Sequence, residues 1–207
     1  MDTPNTSPVT LDAFHVLAAR SLRRSMAWFA VRRGGVLNTA HYFALLRGDG
    51  GALGTAELDM VEGRVLADFI ANDAALIIVA SSVKSILSES GLTGWREYPV
   101  RLYDRKGAAI SKEYTGLSIV GRTGCYDRER SVTRWQISKD GCKTVSEMNG
   151  IHFDPREWDG SDIFMLTDTD IRFVLATTRL ISALKRMCAT GWVSCPVLDF
   201  KTGADLA

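Results

Sequence analysis

Thr93-Gly94-Trp95-Arg96-Glu97-Tyr98-Pro99-Val100 recurs without a gap as Thr190-Gly191-Trp192-Val193-Ser194-Cys195-Pro196-Val197. Each copy keeps Thr-Gly-Trp-x-x-x-Pro-Val and follows an apolar run and a short amphipathic stretch. Self-similarity of this kind names a scaffold used twice. In the first copy Leu76-Ile77-Ile78-Val79 favours a buried strand, and Ser81 or Ser82 offers a hydroxyl to the first amides of a helix. Val83, Ile86 and Leu87 share one helical face, and Gly91 can end the helix in the left-handed region. The second copy repeats the parts: 171–176 as strand, Thr177 or Thr178 as cap, Leu180, Ile181 and Leu184 as the apolar stripe, and Gly191 at the turn.

Beyond the turn, alternation puts Tyr98, Val100 and Leu102 on one face, and Val193, Cys195 and Val197 on another. Both faces should be core. Pro99 and Pro196 cannot donate to a ladder, so each should lie at a sheet edge or pair on one side only. Each Trp reads as a lid over its helix end. Between the copies, 114–120, 132–137 and 163–166 read as strands, with a hairpin turn at 139–141. Before them, 28–31 and 41–46 are strand candidates, and Gly48, Gly50, Gly51 and Gly54 mark a loop. The fold class is therefore α+β, with mixed, mostly antiparallel sheets and two related strand-helix-strand units, around 75–103 and 171–200, flanking a β-rich middle. Residues 1–25 read as a mobile leader. The rest, 26–207, reads as one domain that divides at most into lobes 26–110 and 111–207. A basic helix for an acidic partner, or a true start at Met26, are the other readings of the N-terminal region.

The bulk numbers exclude more than they assign. Lys and Arg number 25 against 24 Asp and Glu, without the basic excess of a bulk nucleic-acid or anionic-membrane binder. No apolar run reaches the roughly 18 residues of a membrane span. Cys125, Cys142, Cys188 and Cys195 match no metal-ligand spacing and read as reduced thiols in a cytoplasmic protein. His15, His41 and His152 stand far apart, so no metal site and no cofactor are expected. The glycine cluster lacks the Lys-Ser or Lys-Thr of a phosphate loop, and no nucleophile elbow is present. No catalytic residue is assigned.

The most polar stretch runs from His152 through Asp154, Arg156, Glu157, Trp158, Asp159 and Asp162 to Asp168 and Asp170. Its acids could hold a divalent cation for a small metal-dependent hydrolase or nuclease, but the spacing is not that of a calcium loop. They could equally form an acidic contact surface for a basic partner. Asp159 and Asp162, around Gly160, also read as turn and cap residues that satisfy nearby backbone. Arg122, Arg128, Arg130 and Arg134 surround Asp127 and Glu129 as self-compensating loop charges.

Asp68-Phe69, Leu76 to Val79 with Val83 to Leu87, Tyr98-Pro99-Val100, Ile119 to Gly121 leading to Asp127 and Ser131, Trp158-Asp159-Gly160-Ser161-Asp162-Ile163-Phe164 and the closing Gly191 to Val197 together resemble one bacterial family. It is the polymorphic-toxin immunity family of the imm-eleven type, formerly a domain of unknown function. The resemblance spans about Tyr42 to Phe200. It implies a non-enzymatic cytoplasmic protein whose partner is a cognate toxin domain, with a nuclease among the candidates, and which has no nucleic-acid or membrane partner of its own. Asp154, Glu157, Trp158, Asp159 and Asp162 are the toxin-binding candidates, although Trp158, Asp159 and Asp162 could equally recur in the family as builders of the fold. Strand addition at the edges holding Pro99 or Pro196 is the rival contact mode.

Overall fold

A computed structural model of the chain describes residues 9–20, 25–32, 39–49, 54–137, 143–168 and 173–201. In chain order the elements are β1 (Phe14–Ala19), β2 (Trp28–Val31), α1 (Thr39–Arg47), β3 (Ala56–Glu62), β4 (Ala71–Asn72), β5 (Ile77–Ala80), α2 (Ser81–Glu89) and β6 (Trp95–Tyr103). There follow β7 (Tyr114–Ile119), β8 (Gly121–Thr123), α3 (Arg128–Ser131), β9 (Val132–Ile137), β10 (Lys143–Met148), β11 (Ile163–Leu166), β12 (Val174–Thr177), α4 (Thr178–Arg186) and β13 (Trp192–Pro196). The fold is α+β with mixed, mostly antiparallel sheets. One sheet has the order β4-β2-β3-β6-β7-β5 and another β13-β1-β12-β11-β8, while β9 and β10 form a two-stranded ribbon. Arg23, Arg24, Arg33, Gly50, Gly51, the turn at 139–141, Cys142, Asp170 and Ile171 lie outside the described residues.

The two units form as strand, helix, strand. Val83 and Leu87 bury the stripe of α2, and Leu180, Ile181, Ala183 and Leu184 that of α4. Thr177 caps α4 by accepting the Leu180 amide at 3.3 Å. The first copy differs from expectation: Ala80 occupies the cap position of α2, and the Ser81 hydroxyl donates instead to the Glu113 carbonyl across the sheet. Gly91 ends α2 at φ 59°, and the matching position after α4 is Cys188, at φ 52°. Each Trp donates its indole N–H back over the helix end, Trp95 to Leu92 O and Trp192 to Ala189 O, both at 2.9 Å. Tyr98 and Leu102 are buried, as is Val197, whereas Val193 and Cys195 on the edge strand are half-buried. Pro99 meets β7 on one side while β3 joins β6 only from Val100 onward, and Pro196 lies on the edge strand β13.

The registers extend the repeat well beyond the doubled motif. β7 lies antiparallel between β5 and β6, pairing Ala80 with Tyr114 and Trp95 with Ile119. β1 lies antiparallel between β12 and β13 in the same way, pairing Thr177 with Phe14 and Trp192 with Ala19. β2 runs parallel to β4, as β8 runs parallel to β11. The chain is thus two tandem repeats, about 14–103 and 114–200, and each gives its first strand to the other's sheet. Two expectations change with this exchange. Phe14 is fully buried and Val16 and Leu17 nearly so, which makes 14–19 an inserted strand and not part of a mobile leader. A boundary between lobes near 110 does not separate independent units, because β1 and β7 cross it in opposite directions.

Residues 41–46, expected as a strand, are helical within α1 and bury Tyr42, Leu45 and Leu46. A short aromatic and aliphatic run does not distinguish strand from helix by period alone. No helix among the described residues is long and apolar enough to cross a membrane.

Two apolar clusters hold the layers together. The larger joins α1, α2 and α4 to both sheets through Phe29, Leu58, Ile78, Val83, Leu117, Ile181 and Leu184. The smaller is aromatic: Phe14, Phe153, Phe164 and Trp158 pack with ring centroids 5.0–6.1 Å apart.

Candidate functional site

The acidic stretch is divided by its folding into carboxylates that build and carboxylates that face solvent. Asp162 precedes β11 with a nearly buried side chain. One oxygen accepts the Thr177 hydroxyl at 3.0 Å; the other accepts the Thr93 amide at 3.1 Å, the Thr93 hydroxyl and the Arg179 guanidinium at 3.0 Å. Burial without such partners would be costly, and here both oxygens are engaged. Asp162 is therefore not part of an accessible contact surface, contrary to its candidacy.

Asp159 spans the turn at Gly160. Its Oδ1 accepts the Ser161 amide at 2.9 Å and its Oδ2 the Arg122 amide at 2.8 Å, so it satisfies local backbone and ties it to β8. Trp158 is half-buried in the aromatic cluster and donates to Ser161 O at 2.9 Å. Asp168 accepts the Tyr126 amide at 2.8 Å and pairs with Arg128 at 3.4 Å. These residues stabilise the fold first.

Asp154 and Glu157 differ. Asp154 precedes and Glu157 closes a single 3-10 turn, Pro155–Glu157, that Asp154 caps through the Arg156 amide. Arg156 folds back on Asp154 at 2.6 Å, and its hydrogen bonds hold the Asp154 carboxyl down to about 2. Glu157 lies against Gly124, where a Cβ would displace the carboxylate end of this exposed side chain.

Both line an open hollow of about 610 Å³ whose other walls are Cys125, Tyr126, Asp127, Arg130, Phe153, Pro155 and Arg156. The Asp127 amide donates to His152 O at 2.7 Å, which brings the 125–130 segment beside 153–157. Asp127 in turn caps α3 through the Arg130 amide. Burial and the neighbouring Asp168 carboxylate push the Cys125 thiol up, away from the nucleophilic thiolate. Burial and Arg130 push the His152 imidazole down. Sequence reading takes 125–131 for self-compensating loop charges; its alignment beside Phe153 depends on long-range pairing that no local spacing signals. Among the described residues no group of three His, Cys, Asp or Glu side chains has a metal-holding arrangement.

Comparison with protein-family models finds no match, and comparison with curated proteins finds none either.

Proposed function

We propose that this protein is an immunity protein that binds a cognate bacterial toxin in the cytoplasm and neutralises it without catalysis, through the hollow at 125–130 and 153–157. The observation that carries this reading is the composition of that hollow. An apolar floor of Phe153, Tyr126 and Pro155 is ringed by Asp127, Arg130, Arg156 and Glu157, and an apolar centre within a polar rim is the anatomy of a specific protein interface. The resemblance of the Trp158 to Phe164 block to toxin-immunity proteins supplies the partner class. Nuclease toxins present basic clefts, and the rim carboxylates Asp127 and Glu157 suit a basic contact.

The metal-dependent hydrolase alternative gains no such support, because Asp159, Asp162 and Asp168 spend their oxygens on backbone amides, hydroxyls and arginines. The test is co-expression with the product of the neighbouring gene, which this reading expects to be a toxin domain. Wild-type protein is expected to restore growth, and Asp127→Lys/Glu157→Lys to weaken the purified complex by at least about tenfold, with association growing more salt-sensitive. Failure of the wild-type protein to protect overturns the function. Unchanged affinity in the folded double variant moves the interface off this hollow.

A further inference from the structure

A second hollow, of about 380 Å³, lies in the first repeat between α2, the outer half of β6 and the 109–115 segment. Lys84, Arg101 and Lys112 line it, together with the hydroxyl-bearing Ser111 and Thr115, and Glu113 is the one carboxylate in its wall. Glu113 is turned to the Ser81 hydroxyl. Lys84 reaches Glu97 at 3.0 Å, and Lys112 stands 4.0 Å from an Asp68 that is already engaged by Thr190. Arg101 is exposed and has no carboxylate within ion-pairing distance among the described residues.

The duplicated scaffold supplies its own control. In the second repeat the same backbone positions carry Ile181, Leu198 and Asp12, fixed by the shared bonds of Ser81 to Glu113 O and Thr178 to Ala13 O and by the Trp95 and Trp192 registers. The architecture therefore closes with isoleucine, leucine and aspartate where the first repeat has Lys84, Arg101 and Lys112. Lys84 and Lys112 also serve Glu97 and Asp68, whereas Arg101 has no ion-pair partner among the described residues, so it is the cation the fold itself does not use.

We infer that this hollow binds a small phosphate-bearing ligand, with Arg101 as the forked donor to the phosphate oxygens and Lys84 and Lys112 as flanking charges. A guanidinium matches two phosphate oxygens at once, while ammonium groups act as point charges beside it. A volume of about 380 Å³ is within the range of small-molecule sites. The two hollows share no residue, so this site stands or falls apart from toxin binding.

The test is isothermal titration of the full chain with inorganic pyrophosphate at low ionic strength, with citrate as a carboxylate of similar charge. Saturable pyrophosphate binding is expected, at least about tenfold weaker in Arg101→Ala/Lys112→Ala and unchanged in Lys185→Ala, a cation removed from the second repeat. Both substituted residues are exposed, and an unaltered melting temperature shows that the double variant is folded. Absence of saturable heat, equal affinity in the double variant, or equal weakening in Lys185→Ala overturns the site. Citrate binding as tight as pyrophosphate overturns the phosphate assignment.

Discussion

The joint between Asp162 and Thr93 and the joint between Asp68 and Thr190 are one arrangement made twice. In each, an aspartate of one repeat accepts the amide and hydroxyl of the other repeat's Thr-Gly-Trp, and the next residue's amide returns a bond to the threonine carbonyl. In each, a glycine admits the crossing backbone: a Cβ on Gly94 would collide with Ile163 O, and one on Gly191 with Phe69 O. They differ in water. The Asp162 side chain is 7% exposed and adds Arg179 and Thr177, whereas Asp68 is 25% exposed and has Lys112 at 4.0 Å. Identical backbone chemistry thus sits in two settings, and the Asp162 joint carries more of the stability because its carboxylate also satisfies the buried Thr177 hydroxyl, which has no water to turn to.

Removing residues 1–20 extracts β1 from between β12 and β13 and leaves both strands unpaired on that side; the expected result is loss of the cooperative unfolding transition, read by near-ultraviolet circular dichroism. A truncated chain that melts like the full one would return 1–20 to the status of a leader. Next in size is the pair of joints. Asp162→Ala removes the acceptor of the buried Thr177 hydroxyl and of the Thr93 amide and is expected to cost about 2–3 kcal/mol in urea unfolding, against about 1 kcal/mol for Asp68→Ala. Equal losses would dissolve the distinction. Cys188 holds a left-handed φ that its counterpart Gly91 adopts freely, so Cys188→Gly is expected to raise stability by about 0.5–1 kcal/mol, net of glycine's greater unfolded freedom.

The smallest effect is a pH dependence. Burial lowers His15 and His152 below 6.5, with Lys185 and Arg130 as the added repulsions. A depressed imidazole makes the unfolded chain bind more protons, so stability from these groups is full above pH 6.5 and falls as pH drops through the folded values. Melting temperatures between about pH 7.5 and 5 are expected to decline, and less steeply in His15→Gln/His152→Gln.

The Thr-Gly-Trp repeat was legible because each of its residues answers a local demand: a positive φ and close approach at glycine, an indole bond three residues back, a proline where no donor is needed. Asp159 was legible as a turn residue for the same reason. The strand exchange was not legible. Nothing in Phe14–Ala19 states that its partners lie at Val174–Thr177 and Trp192–Pro196, since pairing of that range is decided by global closure and not by pattern. The hollow escaped in the same way, because Cys125 and Phe153 meet only after β8 and β11 have paired. Tyr98 and Gly116 show how the two copies have diverged within one register: a ring lies over a bare glycine in the first, while Cys195 faces Val16 in the second.

The exchange of first strands also has a consequence for synthesis. β1 emerges from the ribosome well before its neighbours β12 and β13, which follow on the order of ten seconds later at ordinary elongation rates. Throughout that interval Phe14, Val16 and Leu17 have no sheet to enter, and a nascent chain must keep this apolar segment from foreign strand edges until its own last repeat arrives.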